Sequence, residues 1–137
     1  MHLVSSGCRW DDPTSLGITH PYCWQEETAM PLYLTRFSYT PETWARLAAN
    51  PEDRREAARS YIESVGGKLH GFWYALGEYD GYNLWEAPDN VSMAAVAVAI
   101  SAGGALSRCE TTVLLTVEET MDALGRAGTI KYRPPGA

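Results

Sequence analysis

The chain has 137 residues, of which 45% are hydrophobic and 20% are charged, and its formal net charge is −6 at pH 7. These values fit one soluble globular domain, which at this length buries roughly two thirds of the surface that the unfolded chain exposes. The acidic balance argues against a nucleic-acid partner, because no part of the chain concentrates Lys and Arg to neutralise phosphates.

The sequence contains no segment suited to a membrane or to secretion. Its longest apolar run, residues 91–102, is shorter than the about 20 residues that span a bilayer. The first residues lack a basic stretch followed by an apolar one, so they do not resemble a signal peptide. Three cysteines give no disulfide framework. We therefore expect a cytoplasmic protein with no membrane partner.

Residues 1–29 differ in character from the rest of the chain. They combine Pro, Ser, Gly and paired Asp with scattered Trp, and they show no helix or strand periodicity. We expect a flexible arm, or sequence upstream of a natural start at Met30. Cys8 and Cys23 lie in this arm together with two histidines, but they lack the paired spacing of a zinc site, so we expect no metal.

Regular turn and capping signals begin at residue 30. Residues 31–38 have strand character, and the triplet Thr-Pro-Glu at 40–42 supplies an N-cap, a proline at the first helical position and an acid in the first turn. The helix that follows ends at an Asn-Pro pair. The same start signal then precedes a second helix over 51–65, which a Gly-Gly pair terminates.

The middle of the chain predicts a hairpin. Residues 68–76 and 81–87 have strand character and are joined by the turn-like sequence GEYD. A Pro-Asp pair then supplies a turn and an N-cap for an Ala- and Val-rich helix over 90–102, which ends at Gly-Gly. Residues 105–116 predict a long strand.

One more helix follows this strand, because TVEE at 116–119 fits the capping box T-x-x-E. Residues 128–137 form a tail. The predicted order over residues 30–127 is β-α-β-β-α-β-α. We therefore predict an α+β fold, a ferredoxin-like βαββαβ sandwich with an extra C-terminal helix. Its four-stranded antiparallel sheet carries both main helices on one face and leaves the other face open.

The predicted domain carries more apolar surface than a lone protomer covers. Ten of the twelve residues at 91–102 are Ala, Val, Ile or Met, although a helix on the outside of a monomer is polar over about half its surface. Leu84 and Trp85 point to opposite sides of their strand, and both need shelter. We therefore expect a homodimer or a larger homo-oligomer.

Several motifs resemble those of the GYD domain family. The turn GEYD at 77–80, the strand end EAPD with the Ala-rich helix after it, and TTVLLT at 111–116 are similar to motifs of this family, and they occur in register over residues 30–127. The family consists of small bacterial proteins, mostly of unknown function. The resemblance implies a ferredoxin-like fold of the dimeric α+β barrel type. It implies no reaction and no catalytic residues.

The residues of the signature turn also have structural interpretations. We expect Gly77 to supply a backbone angle that other residues resist. We expect Asp80 to bond to backbone N–H groups within the turn, and Tyr79 to lay its ring against the edge of the sheet.

The domain holds one histidine, His70, and one cysteine, Cys109. Strand alternation places His70 on the same face as Phe72 and Tyr74. His70 is then either a packed or edge histidine, or else a general base or an axial haem ligand in an aromatic-lined cavity. Cys109 is expected to be a small buried hydrophobic residue.

Arg108 and Glu110 share one face of the last predicted strand. They form either an ion pair or two solvated side chains. If that face lines a cavity, Arg108 would hold an anionic or enolate oxygen and Glu110 would move a proton. Arg36 on the first strand is a weaker candidate of the same kind.

Three functions remain open at this stage. We favour a homo-oligomeric binding or accessory protein that holds a small apolar or aromatic ligand without a cofactor. The candidate ligand contacts are Phe72, Tyr74 and Arg36. The alternative is a cofactor-independent monooxygenase, isomerase or cyclase, which rests on fold analogy alone. The candidate catalytic residues are His70, Arg108 and Glu110. Haem binding through His70 is the third and least favoured function.

Overall fold

The computed structural model describes residues 30–136, which form four strands and four helices. In chain order these are β1 (Leu32–Tyr39), α1 (Pro41–Ala49), α2 (Arg54–Ser64), β2 (Lys68–Tyr74), β3 (Gly81–Glu86), α3 (Asn90–Ala102), β4 (Leu106–Leu114) and α4 (Val117–Ala127). The strands pair antiparallel in the order β2-β3-β1-β4. The predicted ferredoxin-like α+β fold is confirmed. The arm expected at residues 1–29 lies outside the described residues.

Three of the four helices begin at the capping residue that the sequence indicates, whereas α2, predicted from residue 51, begins at Arg54 behind Asp53. Side-chain oxygens of Thr40, Asp53, Asp89 and Thr116 accept hydrogen bonds from backbone N–H groups two or three residues further on. At α4 the capping box is complete, because the Glu119 carboxylate also accepts a bond of 2.7 Å from the Thr116 N–H. Local side-chain chemistry therefore sets all four helix starts.

The central strand β1 separates two environments. Its burial alternates strictly, with Tyr33, Thr35, Phe37 and Tyr39 buried toward the helices and the residues between them on the open face. The main core lies between this face of the sheet and helices α2 and α3. Its buried members are Tyr33, Ile62, Trp85, Ala87 and Val96.

A bulge in β2 changes one prediction. The register against β3 shifts between Leu69 and Gly71, so that Phe72 pairs with Asn83 on the helix-covered face. The His70 imidazole instead approaches Glu86, on the open face, at 3.6 Å. The prediction that His70 shares a face with Phe72 and Tyr74 is therefore wrong. The extra residue of a bulge reverses the alternation on which that prediction depends.

The signature turn is held by contacts different from those expected. Gly77 has no left-handed φ angle, and a Cβ there would meet nothing within 4 Å, so the special backbone angle predicted for it is wrong. Leu76 carries the positive φ instead, at 52°. Asp80 does not bond within the turn. Its Oδ2 accepts bonds from the Tyr39 N–H at 2.9 Å and from the Trp44 indole N–H at 3.0 Å.

The last helix stands apart from this core. None of the eleven residues of α4 is buried, and α3 buries only Val96. Within residues 30–136 no helix has both the length and the apolar character needed to cross a bilayer.

A paired glycine substitution tests the packing at the start of β3. A Cβ on Gly81 would lie 2.3 Å from the buried Phe37 ring, whereas a Cβ on Gly77 would meet nothing. Gly81→Ala should lower the free energy of unfolding by about 1–3 kcal/mol, because it overpacks a fixed ring. Gly77→Ala, the control, should change it by less than about 1 kcal/mol. Urea denaturation measures both, and equal values for the two variants would contradict the packing described.

A second pair of variants tests the carboxylate of the turn. Asp80→Ala removes the acceptor for two donors from β1 and α1. We expect a loss of about 1.5–3 kcal/mol in the free energy of unfolding, since bonds to a charged acceptor are lost and the donors stay unpaired. Glu78→Ala, in the same turn but exposed, should cost under about 1 kcal/mol. A loss in the Glu78 variant as large as that in the Asp80 variant would refute this role.

Candidate functional site

Four side chains form a cluster on the open face of the sheet, which we term the open-face cluster (Arg36, Tyr79, Arg108 and Glu110). The Tyr79 ring is only 4% exposed, and the guanidinium carbons of Arg36 and Arg108 lie 4.7 and 4.3 Å from its centroid. Arg36 donates to Glu110 through both Nε and Nη2, at 2.9 and 2.7 Å. Tyr79 is thus buried on the sheet face between two cations.

The two arginines of the open-face cluster each lie beside a carboxylate, Glu110 within the cluster and Glu78 in the adjacent turn. Hydrogen bonding to Tyr79, with further bonding to Arg36, lowers the pKa of the Glu110 carboxyl. Hydrogen bonding to Tyr79 also raises the pKa of Arg108, whose guanidinium lies 3.6 Å from the Glu78 carboxylate. The charged side chains of the cluster are about half exposed. An ion pair of Glu110 was one of the two predicted alternatives. Glu110 does form one, but its partner is Arg36 and not Arg108.

His70 lies away from the open-face cluster. It sits on the edge strand β2, whereas Arg108 and Glu110 sit on β4, the opposite edge of the sheet. A surface groove beside His70 is also lined by Arg55 and Arg59 of α2, but each of these arginines already pairs with an acidic side chain on its own helix or cap. Of the three candidate catalytic residues, the structure thus brings Arg108 and Glu110 together and places His70 apart from them.

Phe72 and Tyr74 join an aromatic cluster at the other end of the helix-covered face. Neighbouring ring centroids in this cluster are 5.1–6.4 Å apart. Its members are Phe37, Tyr39, Trp44, Phe72 and Tyr74. Burial raises the pKa of Tyr39, whose hydroxyl lies 3.5 Å from that of Tyr74. These rings pack on one another and fill the space between sheet and α1.

An internal cavity, which the sequence analysis did not identify, lies between the sheet and helices α2 and α3. Its polar lining comes from three strands and one helix, and its apolar lining includes Ile62, Val96 and Ile100. The polar residues are Thr35, Tyr61, Asn83, Trp85, Cys109 and Thr111. The space open to the centre of a water molecule is about 10 Å³, which is room for one water.

Most polar groups beside the cavity satisfy one another. The Trp85 indole N–H donates to the Thr35 hydroxyl at 2.9 Å, and the hydroxyls of Thr35 and Thr111 lie 2.9 Å apart. Asn83 is the exception. It is only 5% exposed, and its Oδ1 is buried without a hydrogen-bond partner among residues 30–136. A buried acceptor left unpaired costs about 1–3 kcal/mol, so this oxygen calls for a donor from outside the described chain.

The cavity offers no ionised group for acid–base chemistry. Tyr61 and Cys109 are the titratable residues in its lining. Burial raises the pKa of both, and the charge of Glu110 raises that of Cys109 further. Both groups therefore stay protonated near neutral pH, and the thiol is not activated as a nucleophile. The arrangement suits binding better than proton transfer.

One signal in the sequence pointed to this cavity. Alternation along β3 places Asn83 on the same face as the buried Trp85, so the strand directs an amide into the core. The same alternation on β4 places Cys109 and Thr111 opposite Phe37 and Thr35. Which of these groups stays unpaired depends on side-chain contacts between strands, and periodicity does not report those. In the part of the chain that the structure describes, no three His, Cys, Asp or Glu side chains are grouped to hold a metal.

Comparisons with known proteins establish the family. No match was found among curated protein sequences. Of the solved structures, MtbAldR shows 15% identity and a TM-score of 0.41 over 63% of this chain and 52% of its own, so the chain spans about half its length. An uncharacterized NIPSNAP-like domain protein from Burkholderia xenovorans shows 18% identity and a TM-score of 0.42 over 64% and 85%. The model of the GYD domain matches residues 33–124, well over half of the chain, and the protein therefore belongs to the GYD domain family.

Proposed function

We propose that the protein is a homo-oligomeric binding protein that holds a small molecule in the cavity between α3 and the sheet. The observation that carries this proposal is the buried Asn83 Oδ1, which has no donor within the described residues. A hydroxyl or N–H group on the ligand supplies that donor. The hydroxyls of Thr35 and Thr111 and the Trp85 indole pair with one another, and apolar side chains of α2 and α3 complete the lining, so the ligand class is a small apolar or aromatic molecule with one hydrogen-bond donor.

Binding of anything larger than water requires α3 to move outward. The cavity has room for one water, and α3 closes it with Val96, Ala97 and Ile100. Displacing α3 uncovers Val96 and the partly buried Met93 and Ile100, which pack on the core, so the ligand has to cover this apolar surface. Gly104, with φ at 75°, follows the helix directly and allows the chain to turn there. We propose that α3 acts as the lid of the site.

The enzymatic alternative has less support. It needs His70, Arg108 and Glu110 around one cavity, but none of them lines the cavity described above. Arg108 and Glu110 lie on the opposite face of the sheet and bond within the open-face cluster. Haem binding through His70 has less support for a related reason, because this imidazole lies beside Glu86 on an edge strand and does not line the internal cavity. The bacterial cytoplasm is part of the proposal as the site of action.

Self-association is the second part of the proposal. Twelve large hydrophobic side chains are exposed among residues 30–136, and they include Trp73 on the open face. Fully burying one such side chain contributes about 1.5–3 kcal/mol. Association costs about 4–15 kcal/mol, so several of these side chains per protomer must be covered. The number that is exposed is sufficient for this.

Ligand binding is tested with probes that differ in one donor. Phenol should raise the melting temperature of the wild type more than toluene does, because its hydroxyl reaches Asn83. In Asn83→Leu the advantage of phenol, about 2- to 10-fold in Kd, should disappear. The unliganded variant should be at least as stable as the wild type, since an unpaired buried oxygen is removed. Thermal-shift titrations and calorimetry measure both effects.

Tyr82→Phe is the control for this experiment. It removes a hydroxyl from the neighbouring position of β3 on the open face, and it should leave the preference for phenol unchanged. Equal stabilisation of the wild type by phenol and toluene, or a preference that survives in Asn83→Leu, would rule out this role of Asn83.

Self-association is tested by light scattering at micromolar concentration. The wild type should show at least twice the mass of one chain. Trp73→Lys should weaken association by about tenfold or more, because it places a charge on the covered sheet face. Glu63→Lys, on the exposed side of α2, should not. A wild type with the mass of a single chain would remove this part of the proposal and leave ligand binding open.

A further inference from the structure

The C-terminal helix α4 is well formed but carries an uncovered apolar stripe. Val117, Met121 and Leu124, the α4 stripe, follow the spacing i, i+4, i+7 and therefore lie on one side of the helix. Each is at least 60% exposed. A helix of eleven residues is marginal in water on its own, even with a complete capping box, so α4 needs a surface to pack against.

A second uncovered apolar surface lies on α3. Val91, Ala94, Ala95 and Val98, the α3 face, follow the spacing i, i+3, i+4, i+7, and all four are exposed. The thirteen residues of α3 include no charged side chain. This face therefore offers nothing to a charged or strongly polar partner and fits another apolar helix.

The two surfaces match in length and in shape. Both extend over seven residue steps, about 10.5 Å at 1.5 Å per residue. The α3 face consists of small side chains, and the α4 stripe projects a Met and a Leu that fit as ridges into such a shallow surface. We propose that α4 of one protomer packs across α3 of a second copy of the chain. This inference rests on the self-association proposed above and names the surfaces that meet.

A second copy is the occupant that the structure favours. In the described chain the α4 stripe and the α3 face are both exposed, so they do not cover each other within one protomer. Two copies that each present one stripe and one face make two equal contacts about a twofold axis. Leu115, which precedes α4 in the chain, and Ile130 and Tyr132, which follow it, are exposed as well.

Charge substitutions at the centre of each surface test this contact in the full chain. Met121 and Ala95 lie near the middle of their surfaces, so they come close in either relative direction of the helices. Met121→Glu and Ala95→Lys should each weaken association by about tenfold or more. The double variant places opposite charges together and should recover association to within about threefold of the wild type. Ala123→Glu, on the opposite side of α4, should associate like the wild type.

Sedimentation velocity gives the mass of each variant, and far-UV circular dichroism confirms that it is folded. If Met121→Glu and Ala95→Lys keep the wild-type mass, the α3–α4 contact is wrong, while association through the sheet face stands. If both single variants dissociate and the double variant does not recover, these helices do not meet each other. A double variant that does not recover is also the result expected if residues 1–29, and not α4, cover the α3 face.

Discussion

The strict alternation of β1 is the constraint on which the other features depend. This strand pairs on both sides, so each of its side chains faces either the helices or the open face of the sheet. Thr35 and Arg36 are adjacent in the chain, yet the first lines the internal cavity and the second belongs to the open-face cluster. A slip of one residue would bury the guanidinium and expose Tyr33 and Phe37.

Polar groups are paired differently on the two faces of the sheet. On the open face, Arg36 pairs with Glu110 and Arg108 lies 3.6 Å from the Glu78 carboxylate, and both guanidinium groups lie over the Tyr79 ring. Under the helices, hydroxyl and indole groups pair, and one amide oxygen does not. Among the described residues, the buried polar side-chain atom left without a partner thus belongs to an uncharged amide and not to one of the charged residues singled out in the sequence.

Local chemistry made much of the fold predictable. The order of elements and three of the four helix caps follow from short-range signals. The largest boundary difference is three residues, at the start of α2, predicted at 51 and observed at Arg54 behind Asp53. The bulge at His70 was missed because it changes backbone pairing without interrupting the strand-like composition. The partners of Asp80 lie 36 and 41 residues away, and the cavity joins residues from three strands, so neither is visible to periodicity.

The bulge in β2 also affects whether strands of other chains can add to this edge of the sheet. An edge strand presents a row of free backbone donors and acceptors to which another strand can add without limit. At β2 that row is broken in the middle of a seven-residue strand, where the pairing steps from Leu69 to Gly71. A regular strand that paired with this edge would lose register at the bulge. The bulge beside His70 thus disfavours fibrous growth at this edge of the sheet.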